Sequence, residues 1–376
     1  MQSHAQIQQV EADCRIGRDV PGIDLYRGLA VVLMFLAHAW RMTRSRSSSH
    51  VFGAVDAALA WMDRGVAYVA ASFLFISGFS LVLSYKKAMR CSPPRTRLAF
   101  MAGVLRRSGG LYFLAVLMFV AEHGTDLPDL LASPGILSVI AIASTLTAAS
   151  MMSSEPKTTL AFLAVALIAV AYVLEATGSF VSGVNAGPGG AVPLAAFAPI
   201  GAIAASLHFL KGGRGLIWFT AMAIPLFIIA IVDADSWLVL HSSTYRNHEG
   251  LAIADYLRLV KPSEGSTSSV FWNPSTLGAL GLVAPVLLTA TALLTCQYAL
   301  VKSIVLHTVT RPLFVLGRHA LVAYLSHYVM LGIAELAGLR PTHGGWTILM
   351  VLGLVCACWL LCWAAGRART ARGRTR

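Results

Sequence analysis

Charged residues are scarce in this sequence. They make up 12% of its 376 residues, against about 25% in a typical soluble domain, whereas 57% of the residues are hydrophobic and the mean hydropathy is +0.70. Acidic residues are fewer than basic residues, since the sequence has 17 Asp and Glu and 29 Lys and Arg. The basic residues occur in short blocks between apolar runs, which is how membrane proteins distribute charge. The composition therefore excludes an ordinary water-soluble domain and argues against nucleic acid as a partner.

Several motifs for nucleotide and metal chemistry are also missing from the sequence. It contains no P-loop, no HExxH pair, no GxSxG nucleophile elbow and no GxGxxG dinucleotide fingerprint. Its six cysteines lack zinc-like spacing with histidine, so we expect no metal site, and none falls in a predicted outer loop, so we expect no structural disulfide. The polar residues before the first apolar run show no signal-peptide core, and we expect no cleavage there. An ATP-driven pump and an embedded metalloprotease are both disfavoured.

Apolar runs long enough for membrane-spanning helices fill most of the chain. A helix that crosses the hydrocarbon layer needs about 20 mostly apolar residues. The sequence therefore predicts an all-α, polytopic membrane bundle of about ten transmembrane helices. The predicted segments are 24–41, 65–85, 99–120, 130–150, 158–177, 191–210, 215–233, 277–300, 313–336 and 346–365.

The distribution of Lys and Arg predicts the orientation of these helices. With a cytoplasmic N-terminus, alternation places twenty basic residues in inner segments and eight in outer segments, while Arg27 lies within the first helix. This imbalance predicts that both termini are cytoplasmic. The predicted organisation is a cytoplasmic segment 1–20, a membrane domain 21–366 with a long outer loop 234–276, and a basic cytoplasmic tail 367–376. The predicted location is the inner (plasma) membrane of the cell.

Ionisable side chains inside apolar segments are the first candidates for chemistry, because they are costly to place in a bilayer. Asp24 and Arg27 lie three residues apart on one helical face and can pair, either to anchor the helix or to serve a ligand. His38 lies fourteen residues beyond Asp24, about 21 Å along a helix. His327 lies fourteen residues beyond Leu313 in the ninth segment. This matched depth predicts that the two histidines line one wet cavity, although each could instead be a satisfied interior residue.

The loop from Lys86 to Arg107 has the densest positive charge in the chain. Arginines there could bind a phosphate-bearing ligand through bidentate hydrogen bonds, or the charge could serve only to set the topology. In the helix before this loop, Ser77, Gly78 and Ser80 place small residues on neighbouring faces. Such residues predict close packing against another helix.

Five stretches of the chain, in this order, resemble the blocks of a known family. They read GIDLYRGLAVVLMFLAHAW, FLFISGFSLVLS, VLRRSGGLYFLAVLMF, SPGILSVIAIASTLTAAS and LGRHALVAYLSHYVML. The family is the transmembrane acyltransferase superfamily, and the stretches resemble its bacterial proteins similar to heparan-α-glucosaminide N-acetyltransferase. Acyltransferases of surface polysaccharides and the succinyltransferase of periplasmic glucans are sister branches.

The resemblance implies a catalytic role for histidine. The family's histidine at the end of the first helix falls on His38. Its histidine near the end of the chain falls on His327, with Gly317 and Tyr324 in the same block. An alternative alignment places the active histidine in the first outer loop, where His50 is the nearest candidate. Imidazole can act as a general base or as a nucleophile, since its pKa of ~6.5 leaves it largely neutral at pH 7.

The resemblance also implies acetyl-CoA as the acyl donor. The family's D-x-x-RG opening falls on Asp24, Arg27 and Gly28. Its double arginine at the start of the third helix falls on Arg106 and Arg107. We expect Arg106 and Arg107 to bind the CoA phosphates, and Asp24 and Arg27 to support the helix or the approach of the donor.

The resemblance implies an acyl-CoA-dependent membrane acyltransferase. It would move acetyl or another short acyl group from the cytoplasm to a sugar or other hydroxyl or amino acceptor at the outer face. The alternative function is a transporter or flippase of a polar or lipid-linked solute, which intramembrane histidines would also suit. Many transporters have paired halves, and this sequence shows none. Expected partners are the lipid bilayer and a glycan or small-molecule acceptor, and a homodimer is a further hypothesis.

Overall fold

The computed structural model describes residues 20–44, 54–55, 58–59, 66–90, 96–123, 125, 127, 129–179, 181–185, 189–211, 213–232, 275–339 and 344–374. α-Helices form almost all of this part of the chain. These residues contain no β-strand, so the predicted all-α class is confirmed. The helices are α1 (Pro21–Arg44), α2 (Val66–Arg90), α3 (Arg97–His123), α4 (Asp129–Ala132), α5 (Ile136–Met151), α6 (Pro156–Ala176), α7 (Phe197–Lys211), α8 (Gly213–Val232), α9 (Thr276–Lys302), α10 (Ile304–Arg318), α11 (Ala320–Leu336) and α12 (Gly344–Arg374).

Seven of the described helices are long and apolar enough to cross a membrane, and α10 with α11 makes an eighth if the bent pair is one span. A helix suits hydrocarbon because it satisfies its backbone hydrogen bonds within one segment. The apolar helices α5 and α7 have only 16 and 15 residues, which is about 24 Å or less against a ~30 Å hydrocarbon layer. The chain is a multi-pass membrane bundle, and its described residues contain fewer full-length spans than the ten predicted segments.

The chain divides into two compact units. Residues Ala70–Thr291 belong to one, the central unit, and residues Val20–Val69 with Ala292–Arg376 form the other, the terminal unit. Most of the predicted N-terminal segment and of the long outer loop lie outside the described residues. The basic tail predicted from residue 367 continues α12 as far as Arg374.

Small residues bring helices into close contact in the central unit, as predicted for the second helix. A Cβ atom added to Gly78 of α2 would overlap the backbone carbonyl of Ala198 in α7. A Cβ on Gly201 of α7 would likewise overlap the carbonyl of Phe75. The hydroxyl of Ser77 instead donates to the carbonyl of Leu74 within its own helix, at 2.7 Å. Glycine on each helix therefore sets the distance between α2 and α7.

Glycine residues also allow close contact between α1 and α10 in the terminal unit. A Cβ on Gly28 would overlap the carbonyl oxygen of Leu313, and a Cβ on Gly317 would overlap that of Asp24. The backbone amide of Gly22 also donates to the side-chain oxygen of Gln297 in α9, at 3.2 Å. The two glycine contacts fix the register of α10 against the first turns of α1, and the Gly22 hydrogen bond joins α1 to α9.

The ninth predicted segment, 313–336, is not one straight helix. It breaks between α10 and α11, which are bent by 88°. His319 has φ −115° and ψ 31°, outside the helical region. The carbonyl of Gly317 in the last turn of α10 accepts a hydrogen bond from the Arg27 guanidinium of α1 at 3.2 Å, which satisfies one of the acceptors a helix end leaves unpaired. The prediction of a continuous helix was wrong, because a tertiary contact stabilises the break.

Candidate active site

The structure brings His38 of α1 and His327 of α11 into direct contact. The Nδ1 atom of His38 lies 2.9 Å from the Nε2 atom of His327. The two rings are nearly parallel, with an interplanar angle of 12° and centroids 5.1 Å apart. This is the geometry of a hydrogen bond between two imidazoles, in which one nitrogen donates and the other accepts.

The sequence predicted that the two histidines line one cavity, not that they are in direct contact, and the reasoning from depth was not sound. Counting fourteen residues from Leu313 to His327 measures depth only along a straight helix, and the chain bends by 88° between them. The histidines meet because each lies on the face of its helix that packs inward. On α11, Tyr324, His327 and Leu331 are buried at helical spacing.

Aromatic side chains surround the histidine pair. The Phe35 ring stacks on His327 at a centroid distance of 5.0 Å, and the Tyr324 ring meets it edge-on at 5.5 Å. Tyr328 contacts both imidazoles, at 5.2 Å from His38 and 4.6 Å from His327. These rings restrict the histidine rotamers and keep the pair in a mainly apolar setting. Phe35 and Tyr328 were not predicted, although both lie within one helical turn of a histidine.

The two histidines differ in their exposure. His327 is fully buried, at 0% of its accessible surface, whereas His38 is only half-buried. The second ring nitrogen of His327, Nδ1, is buried and has no hydrogen-bond partner among the described residues. A molecule entering the site could therefore touch His38 but not His327. This asymmetry separates a reacting imidazole from a supporting one.

A charged cluster lies at the start of α1. Asp24 and Arg27 form the predicted ion pair, with 3.3 Å between the carboxylate and the guanidinium. Arg318 at the end of α10 adds a second guanidinium, 3.2 Å from the other carboxylate oxygen of Asp24. One carboxylate thus faces two arginines, which leaves the cluster with a net positive charge. The third member was missed because Arg318 is 294 residues away from Asp24 in the sequence.

The remaining predicted residues lie elsewhere. Arg106 and Arg107 are exposed on α3 of the central unit, and neither forms an ion pair within the described part of the chain. His50 lies outside the described residues. The charged cluster and the histidine pair are separate sites on α1, since fourteen residues of helix rise about 21 Å.

The contact restricts which imidazole nitrogen can accept a proton. If His38 donates from Nδ1 to His327, its Nε2 atom has a lone pair and can act as a base. If the donation runs the other way, Nε2 of neutral His38 carries a proton and cannot accept one. In the first case the Nδ1 atom of His327 is protonated. The pair can therefore perform base catalysis in one tautomeric arrangement, in the way a third residue orients histidine in catalytic triads.

Part of the chain matches the model of a known family. Residues 20–186 match the family model described as heparan-alpha-glucosaminide N-acetyltransferase, catalytic. No curated protein matches the chain with significance. The matched range contains His38, Arg106 and Arg107, whereas Arg318 and His327 lie beyond it. The chain is therefore a multi-pass membrane protein whose residues 20–186 are similar to the catalytic domain of heparan-alpha-glucosaminide N-acetyltransferase.

Proposed function

We propose that this protein transfers an acetyl or other short acyl group from acyl-CoA on the cytoplasmic side to an acceptor at the outer face. The acceptor would be a sugar or another molecule with a hydroxyl or amino group. The observation that carries the proposal is the 2.9 Å contact between His38 and His327. An imidazole pair buried among apolar helices is costly without a task, and it occurs in a chain related to acetyltransferases.

His38 is the proposed general base. Its Nε2 atom removes the proton from the acceptor oxygen or nitrogen while that atom forms a bond to the thioester carbonyl carbon. The carbon–sulfur bond then breaks, and the proton on His38 passes to the departing CoA thiolate. Acyl ester or amide and free CoA are the products, so His38 returns to its neutral form. A neutral imidazole is suited to both steps because its ordinary pKa is ~6.5.

His327 is the proposed positioning residue. Its Nε2 atom accepts the Nδ1 proton of His38, which keeps the lone pair of His38 on the nitrogen that faces the acceptor. Full burial prevents His327 from touching the substrates itself. The stacked Phe35 ring and the two neighbouring tyrosines, Tyr324 and Tyr328, hold its plane. This arrangement fixes the tautomer of His38 before the acceptor arrives.

The donor needs cations for its phosphates, and the chain offers exposed arginines for them. Arg106 and Arg107 form no ion pair with any described carboxylate, so their guanidinium groups can make bidentate contacts to phosphate oxygens. Arg318 is half-exposed, with 52% of its side-chain surface accessible, although it shares Asp24 with Arg27. We assign the first two residues to the CoA phosphates, and the Asp24 cluster to the support of α1 and of the approaching donor.

The function can be tested with purified protein, acetyl-CoA labelled in the acetyl group, and a panel of sugars and amines. We expect labelled product and free CoA in equal amounts with at least one acceptor. Label that stays on the protein when no acceptor is present would indicate an acyl-histidine route, and dependence of CoA release on the acceptor would indicate direct transfer. Neither release nor transfer, together with uptake of a labelled solute into proteoliposomes, would contradict the acyltransferase and favour a transporter.

The arginine pair gives a second prediction. Changing Arg106 and Arg107 together to Gln should weaken CoA binding by at least about tenfold, since hydrogen bonds to charged groups contribute about 1.5–3 kcal/mol and 1.4 kcal/mol is a tenfold change in affinity. Isothermal titration with CoA measures the effect. The matched control changes Lys87 and Lys157, which removes the same charge from the central unit and should cost less than about twofold. Equal losses in both double variants would show that the arginines contribute only general charge.

A further inference from the structure

Three basic side chains of the central unit lie together where α2 and α7 end. Lys86 and Arg90 are four residues apart in the last turns of α2, on one face of that helix. His208 is three residues from the end of α7. The Lys86 and His208 side chains contact the same ring, that of Phe209. We call these three residues the Lys86 cluster.

Aromatic rings hold two members of the cluster in place. The Lys86 ammonium lies over the face of Phe209, 4.0 Å from the ring centroid, which is a favourable cation–π distance. The His208 ring meets Phe209 edge-on at 5.4 Å and lies 6.3 Å from Phe79. The Lys86 and His208 side chains are therefore held against a ring surface.

The charge of the cluster is not compensated by the described part of the chain. None of its three members forms an ion pair with a described carboxylate, and the buried Nδ1 atom of His208 has no hydrogen-bond partner among the described residues. Two central-unit acids are engaged elsewhere, because Asp129 accepts a hydrogen bond from Ser182 and Glu175 accepts one from the amide of Thr276. Like charges four residues apart on a helix repel each other, so an anion bound between Lys86 and Arg90 would relieve that repulsion.

We propose that Lys86, Arg90 and His208 bind a phosphate ester, and that its source is the headgroup of an anionic phospholipid. Phosphate oxygens can accept hydrogen bonds from the ammonium, the guanidinium and the imidazole N–H at once. Basic sites between membrane helices on the cytoplasmic side are suited to anionic headgroups, and these helix ends lie on that side in the predicted topology. The exposed side chains of Phe209 and Leu210, 41% and 61% accessible, supply apolar surface beside the cluster for the acyl chains.

The test measures lipid binding to the full-length protein in nanodiscs of zwitterionic phosphatidylcholine. Fluorescent phosphatidylglycerol is titrated in, and energy transfer from the protein's tryptophans reports its binding. We expect Lys86→Gln to weaken this binding about tenfold, the effect of losing one charge-assisted hydrogen bond of about 1.5 kcal/mol, and His208→Phe to weaken it several-fold. Lys87→Gln is the matched control, because it removes the same charge one residue along α2 and should change binding less than about twofold.

A parallel titration with CoA separates the two sources of phosphate. If Lys86→Gln weakens CoA binding and leaves lipid binding unchanged, the phosphate site stands but belongs to the acyl donor, and the lipid assignment is overturned. If Lys86→Gln and Lys87→Gln have equal effects on lipid binding, or neither has any, the cluster is not a site. Gel filtration and thermal unfolding of each variant check that folding is intact. His208→Gln, which retains a side-chain donor, should bind better than His208→Phe, and this comparison holds even if the lysine variant is poorly folded.

Discussion

Replacing His38 with alanine should lower the rate of acyl transfer by about 10²–10⁴-fold, the usual contribution of a general base. The half-buried imidazole of His38 is the one member of the histidine pair that an acceptor could reach. The loss should appear in kcat, measured as CoA release with saturating acetyl-CoA, and CoA binding measured by calorimetry should be retained. His38→Gln, which keeps polar atoms but no basic nitrogen, should be equally inactive.

Two further substitutions identify the base. His327→Phe keeps a ring of similar size but removes the acceptor for the Nδ1 proton of His38, so kcat should fall about 10–100-fold while KM changes little. His327→Gln offers an amide oxygen at the same place and should recover part of the rate, which a merely structural role would not produce. His50→Ala should remain active. Near-normal turnover of His38→Ala together with an inactive His50→Ala would move the catalytic role to the first outer loop.

Replacing Gly28 with valine should disrupt the terminal unit. A Cβ at this position would overlap the backbone carbonyl of Leu313, and backbone cannot rotate away as a flexible side chain can. Overpacking generally costs about 1–3 kcal/mol and occasionally more. We expect the upper end of this range, which corresponds to a fall of about 10 °C in the thermal unfolding midpoint. Transfer activity should fall as well, because α10 leads directly into α11, which carries His327.

Gly103→Val is the matched control for this variant. Gly103 also lies within an apolar helix, α3, but a Cβ there meets no atom within 4 Å. Both changes introduce the same β-branched residue into a helix, so both change the intrinsic helix propensity by the same small amount. The thermal unfolding midpoint of Gly28→Val, measured in detergent, should therefore lie below that of Gly103→Val by most of the decrease expected for Gly28→Val. Equal midpoints for the two variants would show that α1 and α10 do not pack as closely as the structure indicates.

Local patterns in the sequence predict most of the secondary structure and part of the site. Long apolar runs predict helices because backbone polar groups in hydrocarbon have few other partners, and each predicted segment does contain a helix. The Asp24–Arg27 pair is equally local, since residues three apart on a helix face one another. The predicted orientation, with both termini cytoplasmic, rests on charge counting alone and remains a prediction.

Contacts between distant parts of the chain account for what the sequence could not predict. Gly317, Arg318 and His319 interrupt an otherwise largely apolar segment from Leu313 to Leu336, but an isolated glycine within a helical pattern is often tolerated and does not by itself predict a break. The break is stabilised where Arg27 bonds the carbonyl of Gly317. Arg318 joins Asp24 for the same reason, since packing of α10 on α1 brings together residues 294 positions apart.

The sequence by itself determined that this is an all-α membrane protein and that His38 and His327 are candidates for chemistry. Both conclusions depend on residue type and on spacing along one segment, which hydrophobicity and helical periodicity encode directly. The tertiary structure decided that the two imidazoles share a hydrogen bond, that of the two only His38 keeps accessible surface, and that Arg318 completes the charged cluster. These features depend on which helix faces lie against each other, and that is set by backbone contacts at Gly28 and Gly317 rather than by any local pattern.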